Sequence, residues 1–533
     1  MENKKINPYL PIYFSLILAL GLLLGIVLTN RTGGILSFGV NKDKLKEVIN
    51  YVQNNYVDTL SHSALEEKAI GGLLQNLDPH SAYISAAEFH DANDPLLGSF
   101  EGIGVQFRIE SDTVTVIIPV SGGPSEKIGI RAGDRIVKVN DINIAGKKIT
   151  NTGVMKKLKG PKGTEVKVTI FRRGVSGLLD FTVTRDVIPT YSMDIAYMVE
   201  PGIGYIRLNN FSATTHEEVH DALKRLIAGK MKSLILDLRG NGGGYMQAAI
   251  DVSDEFLPKG TLIVYTEGEH HSKEVMYATS EGLFEKGNLV VLIDEFSASA
   301  SEIVAGAIQD NDRGQIIGRR SFGKGLVQEQ LNFKDGSAVR LTVARYHTPT
   351  GRCIQRSYKD GIDQYNNDYY LRFLNGELEN PDSIKFSDSL KYKTPKGKVV
   401  YGGGGIMPDI YVPIEKDTAL RFYNTVLNKG MIYQFAFEYT DRKRSQLNRF
   451  RTIGQFDRQF TITGDIFHEF LVYAEKKGIK RLPVDQTRSD QHIKVMLKAY
   501  IGRNILDNEG FYPILNQIDP AFLKAVRILE RKN

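Results

Sequence analysis

The residues best placed to do chemistry lie between Val290 and Gln328. The segment begins in the apolar run VVLIDE, passes through FSASASEIVAGAIQD and ends at GRRSFGKGLVQ. Ser297, Ser299 and Ser301 stand among small residues where a strand pattern gives way to a helix pattern. A serine at such a junction projects its hydroxyl past the sheet edge. The helix amino end beside it offers unpaired N–H groups and partial positive charge, so an oxyanion formed by acyl transfer would be stabilised there. The same positions have a structural reading, because serine is a favoured N-cap and Ser299 with Glu302 has capping-box spacing. Taken alone, the segment reads as a cap first. A nucleophilic serine also needs a base. The 10 histidines form no pattern that supplies one, and His270-His271 fall in a polar stretch. Lys324, between Gly323 and Gly325, is a different candidate. In an apolar pocket its charged form is disfavoured and its pKa falls, and a neutral amine can take a serine proton. A solvated turn lysine is the plainer alternative. Gly318, Gly323 and Lys324 also approach a phosphate-binding loop, but Gly325 stands where a Mg²⁺-holding hydroxyl belongs, which makes nucleotide binding a poor second.

The elements that must position these residues follow from pattern. SLILDLRG is a buried strand running into the glycine loop GNGGG, LVVLIDE is another, and QIIGRR, VQEQLNF and AVRLTVARYHT read as strands. His216 to Ile227, Gln247 to Leu257 and Ser301 to Gln309 read as helices. This βα alternation predicts an α/β layer domain. Phe100 to about Arg185 differs: short alternating runs with turn residues predict a small β-rich domain. Lys42 to about Leu77 is helical, with Leu45, Val48, Ile49 and Val52 forming a stripe that reads as core first and as a helix-pairing surface second. Residues 357–401 are a polar, Tyr-rich insertion, the glycines Gly402 to Gly405 read as a hinge or turn, and 415–533 carries mixed helical signals without a motif.

The chain has 533 residues, enough for about three or four domains. Ordinary apolar and charged fractions exclude a disordered, collagenous or disulfide-scaffold protein. The net charge of +6 is too dilute to imply nucleic acid. With Cys353 alone, no intrachain disulfide, four-cysteine zinc site or CxxC pair can form. Tyr9 to Leu28 is an uncharged run of 20 residues after Lys4 and Lys5. It is read as an uncleaved signal anchor, with a cleaved signal peptide as the alternative. Residues 30–41 read as a linker. The expected location is a bacterial inner membrane, the catalytic body lying on the exported, periplasmic side.

These motifs together resemble the carboxy-terminal processing peptidases, the tail-specific, S41-type serine proteases with a PDZ-like domain. The resemblance runs from about Lys42 to Pro413. It is carried by LDPHSAYIS (Leu77–Ser85), FEGIGV (Phe100–Val105), GIRAGDRIVKVND (Gly129–Asp141), LILDLRGNGGG (Leu234–Gly244), SASASEIVAGAIQD (Ser297–Asp310), GKGLVQ (Gly323–Gln328), TPTGRCIQ (Thr348–Gln355) and GIMPDIYV (Gly405–Val412). It implies an α/β, crotonase-like protease core with an inserted β-rich PDZ-like domain, a helical N-terminal arm and a helical C-terminal extension. The implied domains are 1–29 as anchor, 30–95 as arm, 96–188 as the PDZ-like domain, 189–414 as the core with its insertion, and 415–533 as an extension that docks an adaptor, mediates assembly or completes the core.

The family has a catalytic serine and lysine 25 residues apart, which Ser299 and Lys324 match and Ser297 and Ser301 do not. The resemblance therefore implies Ser299 as nucleophile, Lys324 as general base and Gln328 as the residue orienting the lysine. It gives Asp310 a supporting role, against a local reading in which Asp310 ends its helix and pairs with Arg313. The oxyanion hole falls to the N–H groups of Ala300 and Gly243. GNGGG replaces the family's usual NNPGG, which leaves the register between Gly242 and Gly243 open. Gly102, Ile103, Gly104 and Val105 match the loop that captures a peptide's terminal carboxylate, and the apolar Ile103 and Val105 point to apolar substrate ends. The implied activity is a serine endopeptidase that takes protein C-termini as substrate, without metal, cofactor or nucleic acid. Its rival is a non-catalytic PDZ scaffold on a degenerate protease fold.

Overall fold

The computed structural model describes residues 9–31, 43–415, 417–481 and 487–532. The chain divides into two units, Met1–Leu73 and Leu74–Asn533. The first holds the helices Leu10–Arg31 and Lys44–Asn55 and most of His62–Gln75. Asp43 caps the second of these by accepting from the Lys46 N–H. Two expectations fail here. The stripe on Lys44–Asn55 is not core: the helix buries none of its residues. The membrane anchor over 9–28, and with it the inner-membrane location, is not supported either. Among the described residues no helix is long and apolar enough to cross a membrane. Lys4, Lys5 and residues 32–41 of the expected linker lie outside the described residues.

The second unit is built on a six-stranded sheet in the order Met193–Glu200, Ile203–Leu208, Ser233–Asp237, Asn288–Ile293, Gln315–Gly318, Ile410–Tyr411. The first pair is antiparallel and the rest are parallel. Parallel strands covered on both faces read as continuous apolar runs rather than alternation, and SLILD is buried at every position. Leu234 and Leu236 face the helices Thr215–Ala228, Met246–Asp254 and Ala300–Asp310, while Ile235 faces the other way. That second face is closed by the chain's last helix, Pro520–Glu530, through Phe522, Ala525, Val526 and Leu529. The end of the C-terminal extension thus completes the core of this sheet, each large apolar side chain contributing about 1.5–3 kcal/mol of burial. Its entry is fixed electrostatically. Arg239 donates to both oxygens of Asp519, which caps the helix, and to the fully buried Asp237. Burial alone would raise the Asp237 carboxyl, but Arg239 and Arg207 hold it well below the usual carboxylate range.

A second sheet stands beside the first. It pairs Ala338–His347 with Ala82–Ile84, Leu262–Glu267 and Leu326–Asn332. The β-rich domain is a separate sheet of five main strands between Val105 and Thr184 with its own core. Residues 421–515 form a helical body with another core. The two meet where Arg135 and Arg173 reach Asp441, at 3.0 and 3.4 Å, and where the Arg108 guanidinium lies 3.9 Å from the Tyr433 ring centre. The insertion contains the short helices Ile362–Asn366 and Asp368–Leu374 and a small hairpin. The glycines that follow form a fixed turn: Gly403 donates to Cys353 O and Gly405 to Ile354 O.

Candidate active site

Ser299 sits where the strand Asn288–Ile293 has ended and the helix Ala300–Asp310 begins, and its backbone is at φ 55°, ψ −113°. Positive φ in a residue with a Cβ costs about 1–3 kcal/mol and persists only where its surroundings enforce it. The enforcement is visible. Glu302, fully buried, accepts from the Ser299 N–H at 2.9 Å. The Tyr346 hydroxyl donates to Ser299 O at 3.1 Å and to Lys324 O at 2.8 Å. Gly243 presses from the opposite side: a Cβ there would lie 2.8 Å from Ser299 Cβ and 3.0 Å from Ala300 N.

Ser299 is itself the N-cap of the helix, in a capping box with Glu302, so at this serine the capping and catalytic readings coincide. Ser297 is buried, donates to Leu238 O and accepts from the Asp294 N–H. Ser301 is buried and donates to Asn241 O. Both lock the strand ends of the sheet, and Ser299 alone of the three lines a cavity. That cavity, about 470 Å³, is bounded also by Lys324, Gln328, Arg340, Tyr346 and the loop Gly242–Met246.

Glu302 does more than close a helix turn. Its carboxylate also accepts from the N–H groups of Gly323 and Lys324, at 2.7 and 2.8 Å, and from the Ser321 hydroxyl at 2.5 Å. One side chain therefore ties the serine turn to the lysine loop. Burial raises the Glu302 carboxyl in spite of these hydrogen bonds. Lys324 Nζ donates to Gln328 Oε1 at 3.0 Å, and Gln328 Nε2 donates to His80 O at 2.6 Å, which fixes the amide's orientation. Burial pushes the Lys324 ammonium down from its ordinary range and the Arg340 charge adds to this, while Asp78 and Glu302 oppose it. Burial, with Lys324 and Arg356, also pushes His80 down to about 4, so its imidazole is neutral. Asp78 organises the turn that presents His80. It accepts from His80 N, Ser81 N, Ser81 Oγ and Thr342 Oγ1, and these bonds outweigh burial and lower its pKa.

Ala300 opens its helix, so its N–H is among those without an intrahelical acceptor. The Gly243 N–H donates to Asn241 Oδ1 at 2.9 Å, and Asn241 Nδ2 donates to Leu208 O. Asp310 lies at the other end of the serine helix, about 15 Å along its axis. It pairs not with Arg313 but with Arg352 at 2.6 Å, both side chains fully buried, and also accepts from Thr348 and Thr350. Arg313 instead donates to the carbonyls of Phe256, Phe284 and Gly287. In the β-rich domain the loop Gly102–Val105 leads into its first long strand, with Gly104 at φ 71°. Ile103 is 2% exposed and packs into that domain's core.

Sequence reasoning missed Glu302 as a tie, and it missed Tyr346, Asn241 and His80. The motif LDPHSAYIS was the available signal for the last. It also gave the insertion no role. Arg372 donates to the carbonyls of Arg320, Ser321 and Phe322, and Arg356 stacks between Phe322 and Tyr365, so the insertion braces the lysine loop from behind.

The model of Peptidase family S41 matches residues 202–364, a PDZ domain matches 102–183, and a family of unknown function matches 422–507. A carboxy-terminal-processing protease of Bartonella bacilliformis is 39% identical over 58% of this chain and 71% of its own length. The carboxy-terminal processing protease CtpA of Bacillus subtilis is 37% identical over 60% of this chain and 67% of its own length. Among solved structures, a photosystem II D1 C-terminal processing protease aligns over 70% of this chain and 94% of that one, at 26% identity and a TM-score of 0.37.

Proposed function

The chain belongs to Peptidase family S41, the carboxy-terminal processing serine proteases with a PDZ domain, and from that premise we propose that Ser299 and Lys324 form its catalytic dyad, with Gln328 orienting the lysine. The observation that carries the reading is the double grip of Glu302 on the N–H groups of Ser299 and Lys324. That Ser299 and the half-buried Lys324 both line the same cavity supports the reading.

The neutral Lys324 amine removes the Ser299 Oγ proton as Oγ attacks a peptide carbonyl. The ammonium formed then protonates the leaving amine, and the acyl ester remains on Ser299. Water, deprotonated by the same amine, releases the acid and restores the serine. Donation to Gln328 Oε1 turns the lysine's remaining lone pair toward Ser299. The Ala300 N–H receives the oxyanion. Gly243 provides the second donor once its N–H leaves Asn241 Oδ1. Asp310, remote from the cavity, supports the fold of the serine helix through Arg352. The PDZ domain takes the free carboxylate of the substrate tail on the backbone of Gly102, Ile103, Gly104 and Val105, and amidating that terminus weakens binding.

Cleavage of a protein substrate with a free carboxy terminus tests the dyad. Ser299→Ala and Lys324→Ala are each expected to lower kcat by at least about a thousandfold while tail binding persists. Wild-type rates in either variant would sink the assignment.

A further inference from the structure

Outside the cavity, His216, His220 and Glu255 bring three ligand atoms within 4.8 Å of one another. The two histidines are four apart on the helix Thr215–Ala228, which stacks their rings on one face a turn apart, 5.7 Å between centres. Glu255 closes the helix Met246–Asp254 and is 2% exposed. His216 Nε2 and His220 Nδ1 both point at the same oxygen, Oε1, at 3.0 and 2.6 Å. The other oxygen, Oε2, accepts from the Leu283 N–H at 2.9 Å, so the carboxylate cannot turn away. Among the described residues the ion pairs of this buried carboxylate are with these two imidazoles alone. A carboxylate removed from water needs a charged partner or strong compensating bonds, and here no lysine or arginine supplies the charge.

From this geometry we propose that His216 Nε2, His220 Nδ1 and Glu255 Oε1 bind a divalent transition cation, Zn²⁺ by preference. Two imidazole nitrogens and one carboxylate oxygen are a zinc donor set. Bonds of about 2.0–2.2 Å in tetrahedral geometry place ligand atoms about 3.3 Å apart, so each imidazole nitrogen draws back from Oε1 by less than about 1 Å to admit the ion. The imidazoles are 44% and 29% exposed, which leaves the outer face to water as fourth ligand. The Leu283 N–H is the outer partner that orients the carboxylate.

The position gives the ion a consequence. Phe211, ahead of the first helix, donates to Gly243 O and accepts from the Tyr245 N–H. Tyr245 directly precedes the second helix. The two helices therefore leave the glycine loop together, and the cation pins the first turns of one to the end of the other. It acts as a clamp on the scaffold of that loop, not as a catalyst.

The test uses the untagged full chain, stripped with a chelator and titrated with Co²⁺ and then Zn²⁺. The expected result is one equivalent of Co²⁺ with the intense visible bands of a four-coordinate ion, displaced by Zn²⁺, and a melting temperature raised by Zn²⁺ but not by Mg²⁺. His216→Ala, His220→Ala and Glu255→Gln should each weaken Zn²⁺ binding by at least about 10–100-fold, the loss that removing even an outer partner causes. Melting curves of the metal-free variants report whether each still folds. A wild-type chain that takes up no stoichiometric Co²⁺, or binds it only in the pale six-coordinate form, overturns the proposal whatever the variants do. So does unchanged affinity in a folded His216→Ala. Either result leaves Glu255 as a hydrogen-bonded acceptor for two imidazole N–H groups, and neither bears on the Ser299 assignment.

Discussion

Glu302 and Glu255 are buried almost equally in the same α/β layer, at 0% and 2% exposure, and are satisfied in opposite ways. Glu302 is surrounded by donors that the fold holds still: three backbone N–H groups and the Ser321 hydroxyl. Glu255 meets one backbone N–H and two imidazoles that open partly to solvent. A carboxylate ringed by main chain fixes distances between loops. One that faces movable rings can exchange partners. The first kind suits a site whose atoms must not drift, and the second a site that admits something.

Substituting the two carboxylates by amides tests that contrast most severely. In Glu302→Gln an N–H₂ group must face backbone donors, so unsatisfied groups accumulate at about 1–3 kcal/mol each. The expected outcome is a loss of about 3 kcal/mol or more in denaturant unfolding and a fall in kcat of at least about a hundredfold. Glu255→Gln, metal-free, keeps its carbonyl for the Leu283 N–H and turns its N–H₂ to the imidazole nitrogens, which can switch tautomer to accept, so it should cost about 1 kcal/mol or less. Equal costs at the two positions would erase the distinction.

Gln328 extends the fixed arrangement toward the amine. Gln328→Ala should lower kcat about 10–100-fold with KM little changed. It should also move the acid limb of the pH–rate profile downward, because the lost carbonyl stabilised the ammonium. A purely structural role would leave that limb in place.

Lys324 is the group that titrates within this rigid frame. In the proposed dyad activity needs its neutral form, so kcat/KM should rise with pH through a value below the ordinary lysine range, burial being the main cause. The sign for stability follows. The folded pKa is lowered, so the burden of the buried charge is complete below the folded pKa and is relieved as pH rises from the folded toward the unfolded value. Lys324→Met should therefore be more stable than wild type at neutral pH, inactive, and flat in stability across that window. A variant that unfolds with wild-type pH dependence would remove Lys324 as the source.

Much of this arrangement was legible in order along the chain. Buried parallel strands such as SLILD and NLVVLI announce themselves as unbroken apolar runs, and the 25-residue interval implied by the family resemblance singled out Ser299 for the proposed dyad. What the sequence hid are contacts made by main-chain atoms. Every residue carries an N–H, so nothing in composition marks Gly323 and Lys324 as donors to Glu302, and the Ser-x-x-Glu spacing showed only the local half of that contact. Arg352 for Asp310 was hidden for a related reason. An isolated arginine 42 residues away carries no pattern, whereas Arg313 was close in sequence and drew the reading to the wrong partner. The stripe on Lys44–Asn55 misled in the other direction, since periodicity reports an apolar face and not what covers it.

At Ser299 folding and chemistry want different amino acids. The φ of 55° that aims the hydroxyl is one glycine adopts freely. Removing the side chain relieves about 1–3 kcal/mol of strain and gives back about 0.4–1 kcal/mol through the looser unfolded chain. A Ser299→Gly chain is therefore expected to melt above the wild type while cleaving nothing, and equal or lower melting would show the turn to be unstrained. The dead protein is the sturdier one, and the living site exists only as long as its neighbours keep one backbone angle from relaxing.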